Sequence, residues 1–149
     1  MRAVVHDRYG PPDVLRLDEV DRPVPREDEV LVRVCATTVN RRDLPPPRRR
    51  SGHVAVVRGP APTQAADPGQ RTGRVVEAAG RAVTRCAAGD QVFGLNPWLL
   101  GAHAESVCVS ARGLIAHKPV GLSFAHAAAV CDGGLNALAC LRRARVQSA

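Results

Sequence analysis

Glu29-Val30-Leu31-Val32-Arg33-Val34-Cys35-Ala36-Thr37-Thr38-Val39-Asn40-Arg41-Arg42-Asp43 is the stretch on which the reading of this chain turns. From Glu29 to Thr38 it alternates, with Val30, Val32 and Val34 on one side and Leu31, Arg33 and Cys35 on the other. A period of two with β-branched residues along one face predicts a strand set against a core. The segments on either side repeat the pattern in shorter form. Arg2 to His6 and Val14 to Val20 are predicted strands, separated by the turn cluster Tyr9-Gly10-Pro11-Pro12-Asp13 and ended by Asp21-Arg22-Pro23-Val24-Pro25. Further along, Arg74 to Ala78, Gln91 to Gly94, Ala104 to Val109 and Leu114 to His117 read as strands, with a turn at Ala88-Gly89-Asp90 and a loop at Trp98. The last element is helical. Ser123 caps it, an Ala-rich run extends from Phe124 to Cys131, Gly133-Gly134 interrupts it, and Leu135 to Arg143 resumes it. The fold class expected is mainly β, a β-rich α+β domain with a C-terminal helix.

Composition bounds this reading. The 149 residues suit one domain. The aromatics are Tyr9, Phe93, Trp98 and Phe124, so the core must be built from Val, Leu and Ala. No uncharged apolar run approaches the roughly 20 residues that span a bilayer, and the opening Met1-Arg2-Ala3-Val4-Val5-His6-Asp7 has no signal-peptide pattern. A cytoplasmic protein with no membrane partner is the expectation. The five cysteines (35, 86, 108, 131 and 140) form no CxxC pair, which disfavours a zinc ribbon, and their odd number disfavours a disulfide framework.

The formal net charge of +7 is unevenly spread. Residues 41 to 74 hold eight arginines against two acids, Asp43 and Asp67, a net +6. Within that segment, 19 of the 29 residues from 45 to 73 are Pro, Arg, Ala or Gly, too little apolar surface to offset the entropy of ordering. A disordered, divergent loop is predicted over 45–73; an out-of-frame reading of a GC-rich gene is the other reading of the same bias. Nucleic acid is not the expected partner, because Arg48-Arg49-Arg50 has no interleaved aromatic for base stacking.

Standard catalytic motifs are missing: there is no GxGxxG, P-loop, GxSxG or HExxH. The histidines at 6, 53, 103, 117 and 126 show no metal-ligand spacing. His103 and Glu105 share a face if their segment is a strand, and the reading preferred over an acid–base pair is an exposed polar strand face.

Taken together, several stretches resemble the medium-chain dehydrogenase/reductase superfamily, in its zinc-independent quinone-oxidoreductase-like branch. They are the opening Met1 to His6 with Tyr9 to Leu15, the long strand ending in Val39-Asn40-Arg41-Arg42-Asp43, Val75 to Gly80, and Gly89 to Gly94. Gly101 to Glu105, Lys118 to Ser123 and Gly134-Leu135-Asn136-Ala137-Leu138 complete the set. The resemblance implies a GroES-like, partly open barrel over residues 1–122. It also implies a helix over 123–149 leading toward a Rossmann cofactor domain that this chain does not contain. Zinc-dependent relatives carry a ligand cysteine where Asn40 stands, and an amide is a poor zinc ligand beside a thiolate. No metal is therefore implied. Asn40 is the implied catalytic residue and also a cofactor contact. Asn136 stands where the family usually has Thr and is a second implied cofactor contact. The cofactor implied is NADPH and the substrate a small quinone or enone. Activity of this chain alone is expected to be weak or nil. A non-catalytic module that pairs as a homodimer through exposed strand edges, and a basic segment that binds nucleic acid or acidic surfaces, are the alternatives.

Overall fold

The computed structural model describes residues 1–5, 12–39, 71–96 and 101–144. Seven strands, a short 3-10 turn at Pro12–Val14 and one helix make up the described part. In chain order they are β1 (Arg2–Val5), β2 (Arg16–Glu19), β3 (Glu29–Thr37), β4 (Arg71–Ala79), β5 (Gln91–Leu95), β6 (Ser106–Ser110), β7 (Leu114–His117) and α1 (Phe124–Arg143). The expected turn at residues 9–11, Asn40 with Asp43, the loop up to residue 70, and Trp98 lie outside the described residues.

The predicted long strand is the second strand of an antiparallel five-stranded sheet ordered β6-β3-β4-β5-β7. Val30 and Val32 are fully buried. They join Val76, Val92, Val107, Val109, Ala111 and Ile115 in one core without an aromatic, as the composition required. Each buried valine contributes roughly 1.5–3 kcal/mol relative to exposure. β1 and β2 pair separately and are tied to the main sheet through residues 103–105. The Val4 amide donates to the His103 carbonyl (2.9 Å), Glu105 to Arg2 (3.0 Å), and Val34 to Glu105 (2.9 Å). This seam curls the strands into a half-barrel, the GroES-like shape.

Two expectations are corrected. β4 begins at Arg71, so residues 71–73 belong to a strand rather than to the predicted loop. Arg71, Thr72 and Gly73 lie opposite Leu95, Gly94 and Phe93 on one side, and Thr72 and Gly73 lie opposite Thr37 and Ala36 on the other. Ladder bonds to two neighbours outweigh a composition poor in strand formers. The helix is also continuous through Gly133-Gly134. Two glycines cost about 1 kcal/mol each in a helix interior, and the Ala- and Leu-rich flanks carry the hydrogen-bond ladder across them. Ser123 caps the start as predicted, its hydroxyl accepting from the His126 amide at 3.2 Å.

Helix α1 packs on β3, β4 and β5 through its first half. Ala127 and Ala128 are fully buried and Cys131 nearly so. The same stripe continues as Leu135, Leu138 and Leu141, which are about half exposed. By length and apolarity alone this 20-residue helix could cross a bilayer, which the sequence reading had not found. One stripe of its first half, Ala127, Ala128 and Cys131, is buried against the sheet instead.

Candidate functional site

β3 carries its side chains along the wall of an apolar cavity of about 640 Å³. Val34, Thr37 and Val39 line one side of it, Val4 and Leu17 of the β1–β2 pair another, and Ala102 with residues 103–105 close it. Val39 is the last described residue before Asn40. The cavity thus flanks the point where the chain enters the Asn40-Arg41-Arg42-Asp43 motif.

His103 and Glu105 are near one another here but form no acid–base pair among the described residues. Glu105 is held by Arg2, whose amide donates to Oε2 (3.0 Å) and whose Nε donates to Oε1 (2.9 Å). The backbone hydrogen bond, then the side-chain one, holds this carboxyl below its usual range. The residue clamps β1 to the main sheet, so the expected polar face serves as a seam.

Asn136 is exposed on the second half of α1, and its Nδ2 donates to Asp132 Oδ1 at 3.2 Å. No described residue donates to its Oδ1, so that atom is available to a ligand. Asn136 is not among the residues lining the cavity. No described strand, glycine turn and helix succession fits a pyrophosphate. Among the described residues no three His, Cys, Asp or Glu side chains lie together as metal ligands would.

The residue the sequence reading missed is Arg74. It is 1% exposed, and its Nε and Nη2 have no hydrogen-bond partner. Burial pulls its guanidinium down to about 10, with the Cys131 thiol opposing the shift; it stays charged at neutral pH. Buried atoms also left unpaired are Thr38 Oγ1, Thr72 Oγ1 and Asn96 Nδ2. Each neutral orphan of this kind costs about 1–3 kcal/mol, and a charged one more. Arg74 was one of eight arginines in a basic segment, and nothing in a linear charge count separates a buried one from the rest. On the other side of the sheet, Glu77 gathers Arg22 (2.5 Å), the Ser106 hydroxyl (3.3 Å) and, more loosely, Arg33 (3.9 Å). Surface pairs of this kind hold strands in register and contribute little net stability.

Comparison with known proteins agrees with this architecture. A 2-methylene-furan-3-one reductase of Solanum lycopersicum is 36% identical over 138 residues, which is 87% of this chain and 34% of that protein. The solved quinone oxidoreductase of Coxiella burnetii superposes with a TM-score of 0.80 at 30% identity, over 99% of this chain and 46% of that one. A quinone oxidoreductase of Escherichia coli, solved in complex with NADPH, superposes with a TM-score of 0.74 at 26% identity, over 97% and 41%. The chain therefore spans between a third and a half of the length of these relatives. They support its reading as part of a medium-chain oxidoreductase of the quinone-oxidoreductase type. Residues 26–143 match the alcohol dehydrogenase GroES-like domain, the family to which this chain belongs.

Proposed function

We propose that this domain is the substrate-facing part of a zinc-independent, NADPH-dependent reductase acting on a quinone or an activated double bond such as an enone. The observation that carries the reading is the apolar cavity lined by Val34, Thr37 and Val39, with Asn40 the next residue in the chain. NADPH supplies a hydride when bound. The part assigned to Asn40 is to donate its amide hydrogen to the acceptor's carbonyl, where charge develops on oxygen. The part assigned to Asn136 is to accept, through Oδ1, from the cofactor's carboxamide. The apolar walls of Val4 and Leu17 offer contact to a conjugated, uncharged acceptor. The position of an amide where a thiolate is needed makes zinc chemistry a poor fit.

Residues 1–149 alone are expected to bind NADPH weakly and to oxidise it slowly. The test is steady-state NADPH oxidation with 1,4-benzoquinone, paired with a fluorescence titration of the nucleotide. A small quinone-dependent rate that Asn40→Ala abolishes is the expected result. A rate unchanged by Asn40→Ala would remove that residue from the chemistry, and zinc-dependent alcohol oxidation would overturn the reductase reading. A cytoplasmic location and a homodimer accompany this proposal; size-exclusion elution at several concentrations tests the second.

A further inference from the structure

Helix α1 outruns the sheet it packs on. Ala127, Ala128 and Cys131 are buried, whereas every residue from Leu135 to Ala144 is exposed. At about 3.6 residues per turn, Leu135, Leu138 and Leu141 continue the buried stripe along the same side of the helix. They are 52%, 44% and 52% exposed.

This stripe is symmetric about Leu138, with Leu135 three residues before it and Leu141 three after. A second copy of the helix, laid antiparallel with Leu138 against Leu138, sets Leu135 of each copy against Leu141 of the other. Asp132 and Arg142 stand ten residues apart, about 15 Å along the axis, too far to pair within one helix. Asp132 lies six residues before Leu138 and Arg142 four after it. In the antiparallel pair, Asp132 of one copy and Arg142 of the other are therefore level to within about 3 Å. Both also stand on the Leu135 flank of the stripe, three residues before Leu135 and seven after it. A twofold axis across the pair keeps that flank on one side in both copies, so two ion pairs form, one at each end. The overlap covers residues 132–144 of each copy, about 20 Å. The buried contacts at Ala127, Ala128 and Cys131 fall outside it, and the two sheets lie at opposite ends of the pair.

We propose that the second half of α1 is a self-association surface. Two copies pair antiparallel through Leu135, Leu138 and Leu141, and Asp132 of each meets Arg142 of the other. The interface is isologous, as a twofold dimer requires. It gives the homodimer proposed above its surface, on the helix rather than on a strand edge, and it does not depend on the reductase chemistry. So short an overlap buries less than the roughly 1,200 Å² of a stable complex. The dimer is accordingly weak, populated at hundreds of micromolar and dissociated near about 1 µM.

The test is sedimentation equilibrium of the 149-residue chain from about 5 to 500 µM, with circular dichroism to confirm that each variant is folded. The wild-type mass is expected to rise from one chain toward two. Asp132→Arg and Arg142→Asp each set like charges together at both ends, and each is expected to weaken association at least about tenfold. An equimolar mixture of these two variants restores both ion pairs and is expected to associate nearly as wild type does. Leu138→Gln is expected to stay monomeric. A mixture no better than its components would overturn the proposal. So would a wild type that is monomeric at every concentration, which hands the stripe to a different partner, such as the additional length its relatives carry. Sedimentation with phosphatidylcholine vesicles in place of self-association would assign the stripe to lipid and overturn it as well. Should a charge variant not fold, Leu138→Cys decides. Its cysteines face one another across the axis, whereas Cys140 is turned about 200° from Leu138. Oxidation is expected to link the Leu138→Cys variant into dimers faster than wild type, and an equal rate removes the surface. A failed reductase assay leaves these outcomes standing, and failure of the pairing leaves the reductase reading untouched.

Discussion

Gly73 sets how closely α1 approaches β4. A Cβ on this residue would lie 2.5 Å from the Phe124 carbonyl oxygen and 2.9 Å from its Cα, both backbone atoms that cannot swing aside. Gly73→Ala should therefore destabilise the domain by roughly 1–3 kcal/mol, read as a lower urea midpoint. The thiols give a second residue-level prediction. Cys35 and Cys140 are exposed, while Cys108 and Cys131 are buried, and all five cysteines are free. Burial, with Glu29 adding to it, pushes Cys108 up to about 11. A disulfide exchange reagent at pH 8 should modify Cys35 and Cys140 quickly, and Cys108 and Cys131 only after unfolding. The unfolded state loses the Cys108 proton at its ordinary value near 9 and the folded state only near 11. Its contribution to stability is thus complete below about pH 9 and falls as pH rises through that window. Unfolding midpoints measured between pH 8 and 11 check the sign, and substituting Cys108 by Ser or Ala should flatten the decline.

At the scale of elements, α1 divides into a first half that packs on the sheet along one stripe and an overhanging second half. The first half meets the sheet through alanines small enough to bring helix and strands together, and the second presents Leu135, Leu138 and Leu141 to solvent. Gly133 has open space around it. Gly133→Ala should thus raise stability by about 0.5–1 kcal/mol, whereas at Gly134 a Cβ would meet Val130 Cγ2 at 2.9 Å and cancel much of the gain. Changing Leu135 and Leu138 together to Gln should leave the urea midpoint within about 0.5 kcal/mol of wild type. The same change should lower binding of a hydrophobic dye. The alternation of β3 and the strand at 114–117 were plain in the sequence, because each needs only a period of two and a bounding turn. The start of β4 was not. Residues 71–73 become a strand through partners 20 to 40 positions away along the chain, at Phe93–Leu95 and Ala36–Thr37. Local composition has no access to those partners.

At the scale of the whole molecule, one connected valine core and one backbone seam at residues 103–105 hold the half-barrel together. Val32 is at the centre of both the chain's strongest pattern and the core, with no exposed surface. Val32→Ala should cost about 2–3 kcal/mol, a large share of the total for a domain of this size, and should lower Tm by several degrees with the unfolding still cooperative. The sequence by itself determined the strand-rich class, the aromatic-poor core, the capped C-terminal helix and the family resemblance. All of these rest on local periodicity and on residue types at short spacing. Asn40 was singled out only through that resemblance, and it lies outside the described residues. Only the tertiary structure decided that Glu105 ties β1 to the sheet, that Asn136 stands on an exposed helix face, and that Arg74 is buried without a partner. Burial and pairing are sums over neighbours distant in the chain. An arginine counted as surface charge in the sequence becomes a buried charge once strands on both sides and a helix enclose it.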